Sequence, residues 1–192
     1  MVESRFSSGQ HWRPPDLGLV EMKNSTNNIC VLITLAGTFL FGASVWAEEV
    51  DVDAAIKAGF EAFNRGDVVA AMMHYENAAN AGSADGQARL AWVLDQSEQN
   101  DDAVRWYRAS AEQGHAAGYF GLGEMYAKGE GIEQDGAKAV ENFTLAAENG
   151  HAQAMSVLVT GYKNGELGLE VDLAKADYWG RMLRQQQAVK EE

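Results

Sequence analysis

The stretch GHAAGYFGLGEMYAKGEGIEQDGAKAVENFTLAAENGH, Gly114 to His151, opens on Gly-His-Ala and runs into the same phrase at Gly150. His115 and His151 are therefore 151 − 115 = 36 residues apart. A period in that range is the mark of stacked helical hairpins, each too small to bury its apolar face alone. Such a stack presents a long continuous surface and seldom encloses a catalytic pocket, so binding is the expected task.

Working outward, four units can be laid out: Asp53 to Ser83, Ala84 to His115, Ala116 to His151, and Ala152 to about Gln187. Each holds two helical patterns joined by a turn rich in Gly, Asp or Asn. The second helix repeats most clearly. Ala71, Tyr75, Ala78 and Ala79 recur as Ala103, Tyr107, Ser110 and Ala111, and again as Ala139, Phe143, Ala146 and Ala147. The offsets i, i+4, i+7 and i+8 place all four on one helix face. One aromatic among small residues lets a neighbouring helix approach closely while the ring fills the gap. Gly82, Gly114 and Gly150 follow each second helix, where a left-handed residue ends it. In the first helices, Ala54, Gly86, Gly118 and Ala154 correspond, as do Gly59, Ala91, Gly123 and Val159; small residues there predict close helix crossings.

Unit three resembles the Sel1-like repeat, a relative of the tetratricopeptide repeat. It carries G-H-x-x-G at Gly114 to Gly118, L-G-x-x-Y at Leu122, Gly123 and Tyr126, and G-x-G-I at Gly129 to Ile132. Asp135, Lys138-Ala139 and Ala146-Ala147 complete the pattern. Unit four keeps Tyr162, Gly165, Gly168, Asp172 and Lys175-Ala176, unit two has lost the glycine loop, and unit one looks like a plain tetratricopeptide unit. The resemblance implies an all-α fold, an α/α solenoid or right-handed superhelix of about four helix pairs. It also implies protein–protein contact, often as an adaptor or scaffold, and in exported bacterial members an envelope or surface setting. A cysteine-rich branch is linked to penicillin binding. The lone Cys30 here leaves residues 48–192 without thiols, so that branch's cell-wall or β-lactam hydrolase activity is kept only as the enzymatic alternative. A self-assembling structural envelope component is a further one.

Residues Ile29 to Ala47, ICVLITLAGTFLFGASVWA, carry no charge, follow Met22-Lys23, and end on small residues at Val45 and Ala47 before Glu48-Glu49. That order is a signal peptide, residues 22–47, with cleavage after Ala47 and an exported, periplasmic product. The alternative is an uncleaved inner-membrane anchor, since nineteen apolar residues just reach across a bilayer. Residues 1–21 form an unusually long leader broken by Pro14-Pro15, and Met22 is an alternative start. The domain proper is then 48–192.

The net charge is −13, and residues 1–47 contribute three acids and three bases, leaving 15 − 3 = 12 bases against 28 − 3 = 25 acids in the repeats. Such a charge keeps a protein soluble and repels phosphate backbones, so nucleic acid is not an expected partner. A solvated acidic surface is the ordinary meaning; a cationic peptide partner is the specific one.

Candidate chemistry is sparse. His115 and His151 hold equivalent places at helix starts, which the repeat itself explains; His74 aligns with Trp106 and should pack or lie half-exposed. Glu130, Glu133 and Asp135, the pair Asp101-Asp102, and Asp51 with Asp53 lack the ligand order of a calcium loop. The glycines of GEGIEQDGAK do not have phosphate-loop spacing. No cofactor, metal or catalytic residue is expected.

Sites are read instead from positions that vary between units. The first-helix position after the small crossing residue holds Phe60, Trp92, Glu124 and Thr160. One turn earlier stand Ile56, Ala88, Phe120 and Ser156, and one turn later Phe63, Asp95, Ala127 and Lys163. In tetratricopeptide-like stacks this face lines the concave groove, so Phe60, Trp92, Phe120 and Glu124 are the candidate partner contacts; the competing role is packing at the end of the stack and between units. Unit four departs from the rule, with Gly180 for the repeat aromatic and Arg184 for the second alanine. Tyr178, Trp179 and Met182 are a candidate C-terminal edge for a partner or second copy, unless they pack back onto unit three.

Overall fold

The computed structural model describes residues 50–190, together with an antiparallel pairing of two short strands, β1 (Met22–Lys23) and β2 (Ile29–Cys30). These strands fall in a compact unit, Met1–Ala47, separate from the unit Glu48–Glu192 that holds the helices. The leader and signal segment otherwise lie outside the described residues.

Eight helices follow among the described residues: α1 (Val52–Asn64), α2 (Val68–Asn80), α3 (Ala84–Gln96), α4 (Asn100–Glu112), α5 (Ala116–Lys128), α6 (Gly136–Glu148), α7 (Ala152–Asn164) and α8 (Leu173–Lys190). The first seven have 13 residues each and α8 has 18. First helices start 84 − 52 = 32, 116 − 84 = 32 and 152 − 116 = 36 residues apart, the extra four lying in the loop between α5 and α6. Each helix packs on its neighbours in sequence, and α3 also packs on α5. That connectivity is an α/α solenoid of four helix pairs.

Uniform helix length follows from repeated stop and start signals. The side chains of Asp51, Asp67, Ser83 and Asp135 accept the backbone N–H three residues on, at 3.0–3.1 Å, capping α1, α2, α3 and α6. His151 caps α7 through Nδ1, 3.4 Å from the Ala154 N–H, and Asp172 accepts from Ala174 and Lys175 at the start of α8. The recurring histidine thus belongs to a helix start, as the repeat implied. In the α5–α6 loop the Asp135 N–H donates to the Tyr126 carbonyl at 2.9 Å, and Lys138 lies 5.3 Å from the Tyr126 ring centroid. Unit four repeats both contacts: Asp172 N–H to the Tyr162 carbonyl at 2.8 Å, and Lys175 at 5.0 Å from the Tyr162 ring. This is why Tyr, Asp and Lys recur together. The missing loop glycine of unit two is replaced by Glu98 at φ 59°, where unit one has Gly66 at φ 80°.

The twelve second-helix repeat residues, Ala71 through Ala147, are all buried, none above 4% exposed. Tyr75, Tyr107 and Phe143 anchor successive layers, a fully buried aromatic contributing about 2–3 kcal/mol. The small first-helix residues lie where helices meet. A Cβ on Gly118 would stand 2.5 Å from Ser110 Oγ, and one on Gly59 2.5 Å from Tyr75 Cε1. Ser110 is tolerated in an alanine position because its hydroxyl donates to the Ala84 carbonyl at 2.7 Å, tying α4 to the start of α3. The core forms two clusters, one spanning α1–α5 and one α6–α8, with Tyr119 and Tyr126 packed against both.

Candidate binding groove

Because each first helix buries one face against its own second helix, the opposite faces of α1, α3 and α5 turn toward a shared concavity. It encloses about 670 Å³. Phe60, Trp92, Phe120 and Glu124 all line it, from three different helices. At the α1–α3 end, Phe63 and Trp92 meet edge to face with ring centroids 4.8 Å apart. Trp92 nevertheless stays 41% exposed and Phe60 53%. Trp92 therefore does both things weighed for it: one edge fills the space between units while the rest faces solvent. Phe120 is half-buried, stacked on His151 at 4.4 Å and tilted against Phe143 at 5.7 Å.

Several lining residues escaped the sequence reading. Tyr75 and Tyr107 reach the floor from the second helices, Tyr107 because Gly121 leaves no Cβ to block it. Asp85 and Arg89 pair on α3 at 2.9 Å, and the Asp85 carboxylate is also 4.0 Å from His115 Nε2. His151 and Gln153 close the far end, while Ser156, Thr160 and Lys163 take no part. In unit three the groove uses Lys128 rather than Ala127. The groove is thus built from units one to three and the first turn of unit four. The only signal for the floor tyrosines was their repeat register, which marks packing rather than access.

The groove is electrostatically unusual. Burial pushes the Asp95 and Glu124 carboxyls above their usual range; Lys128 partly offsets this, Glu130 raises both further, and Asp95 also raises Glu124. Burial, with those same two carboxylates, also holds the Tyr107 phenol well above its ordinary value. His151 is held below the usual imidazole range by burial and by the nearby His115. Among the described residues no group of three or more His, Cys, Asp or Glu side chains gathers to hold a metal ion.

A second, shallower hollow of about 410 Å³ lies at the C-terminal end, between α6–α7 and α8. Tyr178, 48% exposed, and Met182, 37% exposed, line it. Trp179 touches it too, but is only 8% exposed and packs into the core with Met155 and Leu158. Helix α8 runs on through the glutamines, and the Gln186 amide donates to the Gly150 carbonyl.

Repeated antiparallel hairpins of fixed register with a concave face made by the first helices define a tetratricopeptide-like α/α solenoid. Within that class, the Sel1 repeat pattern matches residues 53–83, 84–115 and 116–151, and the chain belongs to the Sel1 repeat family. It is 32% identical over 148 residues to the ERAD-associated E3 ubiquitin-protein ligase component HRD3B of Arabidopsis thaliana, covering 68% of this chain and 24% of that protein. It is also 32% identical over 90 residues to an exopolysaccharide production negative regulator of Rhizobium leguminosarum, covering 41% of this chain and 34% of that protein. The chain thus spans only about a quarter to a third of the length of these relatives. Among solved structures it resembles a Sel1 repeat protein from Oxalobacter formigenes, with TM-score 0.65, 29% identity, and 69% and 56% of the two chains covered. It also resembles the protective antigen c5321 of uropathogenic Escherichia coli, with TM-score 0.61, 26% identity, and 70% and 30% covered. Sel1 repeat proteins mediate protein–protein interaction.

Proposed function

We propose that residues 48–192 are a non-enzymatic adaptor that seats a peptide or helix of a partner protein in the groove, with Phe60, Trp92, Phe120 and Glu124 as contacts. The observation that carries this is the pair Phe60 and Trp92. Large aromatics, 53% and 41% exposed, are held on a rigid concave face, the setting in which aromatics act as binding anchors. Crosslinked pull-down with the whole chain, wild type against Trp92→Ala, tests it: a partner retained by wild type and lost by the variant supports the groove. Equal recovery by both refutes it.

The setting is proposed as the cell envelope, with export directed by residues 22–47 and cleavage after Ala47. The uncharged run and the small residues at Val45 and Ala47 support this. No helix among the described residues is long and apolar enough to cross a membrane. N-terminal sequencing of the product checks the cleavage; an intact 29–47 segment supports the anchor instead. A second reading is favoured by the C-terminal hollow, where Tyr178 and Met182 present apolar surface to a second copy. Light scattering on Tyr178→Lys/Met182→Lys tests it: a wild-type oligomer that dissociates in the variant supports self-association, and a wild-type monomer excludes it.

A further inference from the structure

We propose that the segment seated in the groove is basic: a Lys or Arg of the partner lies between Asp95 and Glu124, beside an apolar side chain on the Phe60–Phe63–Trp92 wall. This rests on the groove being the binding surface and adds the chemistry of its occupant.

The argument is one of charge left over. Elsewhere on the solenoid, half-buried acids are matched locally, while unpaired ones such as Glu61, Glu76 and Glu141 are solvent-exposed. Asp102 pairs with Arg105, Asp135 with Lys138, Asp172 with Lys175, and Asp177 with Arg181. Inside the groove, Arg89 is taken by Asp85 at 2.9 Å, and Lys128 by Glu130 at 3.4 Å. Asp95 and Glu124 face the same cavity with no ion pair within 4.0 Å and no side-chain hydrogen bond among the described residues. Both are half-buried. A half-buried carboxylate without a partner costs free energy that a solvated one does not.

Nothing in the scaffold calls for them. Asp95 stands where units one, three and four have Phe63, Ala127 and Lys163, and Glu124 where units one, two and four have Phe60, Trp92 and Thr160. No other unit carries an acid at either place, so the two acids belong to this groove and not to the fold. Asp95 raises the Glu124 carboxyl, Glu130 raises both, and Lys128 only partly compensates. An incoming cation satisfies both at once. The neighbouring Trp92 face offers a further stabilising surface to a cation or to the stem of a long basic side chain. The repeat domain's excess of 25 acids over 12 bases steers such a partner toward it, an effect that weakens with salt.

The test is selection of a random 12-residue phage-displayed peptide library on the full chain. It is carried out in parallel on wild type, Asp95→Asn/Glu124→Gln and Trp92→Ala, with circular dichroism to show that each is folded. The expected result is enrichment of peptides with Lys or Arg beside an aromatic or aliphatic residue. The strongest of these, synthesised with a fluorescein label, should bind wild type at least about tenfold more tightly than the Asn/Gln variant by anisotropy. Replacing its basic residue by Gln should cost a similar factor, and the two losses should not add. The proposal is overturned if no peptide is enriched, if neutral or acidic peptides dominate, or if the basic peptide binds the Asn/Gln variant as tightly as wild type. If Trp92→Ala still weakens the enriched peptides in such a case, the groove stands and only its basic preference falls. If neither variant changes binding, the groove reading falls as well.

Discussion

Trp92→Ala separates packing from binding more sharply than any other single change. Complete burial would make the substitution cost about 3–5 kcal/mol. Trp92 is 41% exposed, so a little over half of that is at stake. The edge contact with Phe63 at 4.8 Å accounts for part of the remainder. The expected loss is about 2 kcal/mol, against a stability on the order of 5–15 kcal/mol for a domain of this kind. The protein stays folded, with Tm lower by about 4–8 °C. Binding should suffer more: an anchor tryptophan lost from a groove costs about 2 kcal/mol or more, which is roughly thirtyfold in Kd. Trp92→Phe keeps the contact with Phe63 and should recover most of the stability but only part of the affinity. The assay pairs thermal melts followed at the helical dichroism band with anisotropy of a groove-binding peptide. A fall in Tm of more than about 15 °C, the cost of a fully buried tryptophan, shows Trp92 to be core. An unchanged Kd shows that it is not an anchor. Either result refutes the reasoning.

Other outcomes follow from the same geometry. Glu98→Gly/Gln99→Asp rebuilds in unit two the Gly66-Asp67 turn of unit one, relieving a left-handed non-glycine at φ 59° and capping an α4 that has no side-chain cap; a gain of about 1–2 kcal/mol is expected in denaturant unfolding. Gly118→Ala drives a Cβ to 2.5 Å from Ser110 Oγ and 2.6 Å from the Ala111 backbone nitrogen, and should cost about 1–3 kcal/mol. Gly180→Ala meets only the end of Arg184 at 3.4 Å and Val159 at 3.9 Å, and should gain up to about 1 kcal/mol from helix propensity; equal effects would refute the crossing geometry. In the folded protein the Asp95 and Glu124 carboxyls titrate above their unfolded range, chiefly through burial, so stability falls as pH rises through their folded values. Asp95→Asn/Glu124→Gln should therefore raise Tm at neutral pH, with the gain closing as pH drops to the unfolded carboxylate range. Asp135 and Asp172 are held low chiefly by the backbone N–H groups of Lys138 and Lys175, so the opposite sign applies. Their contribution is present above the unfolded range and lost as pH falls through their folded values, and Asp135→Asn/Asp172→Asn should lower Tm at neutral pH but not in strong acid.

The scaffold was legible because it depends on local rules repeated in register. The unit boundaries at Ser83, His115 and His151 are read from glycine and aromatic spacing, and each lies at the N-cap of a first helix. The gathering of Phe60, Trp92, Phe120 and Glu124 was legible for the same reason, since equivalent positions on stacked helices must face one way. The floor was not. Tyr107 bears the same repeat signature as Phe143, and only the absence of a side chain at Gly121 on the next unit opens a path for it to the groove. Trp179 likewise looked like part of an edge, yet the turn of α8 onto α7 buries it.

The repeat units, their two helices each, the stacking order and the face that each helix presents are legible in the sequence, because these follow from periodicity and turn signals within about a dozen residues. Which acids come to share a groove is settled by how α3 packs on α5. Lys128 pairs with Glu130 two residues on, Arg89 turns back to Asp85 one turn earlier, and Asp95 and Glu124, 29 positions apart in sequence (124 − 95 = 29), share one cavity without an ion pair of their own among the described residues. Those two pairs are local in sequence, but the meeting of Asp95 and Glu124 depends on the packing of α3 against α5, and no one-dimensional pattern holds the distance between them. In this protein that packing is what brings two acids from α3 and α5 into one aromatic-lined groove.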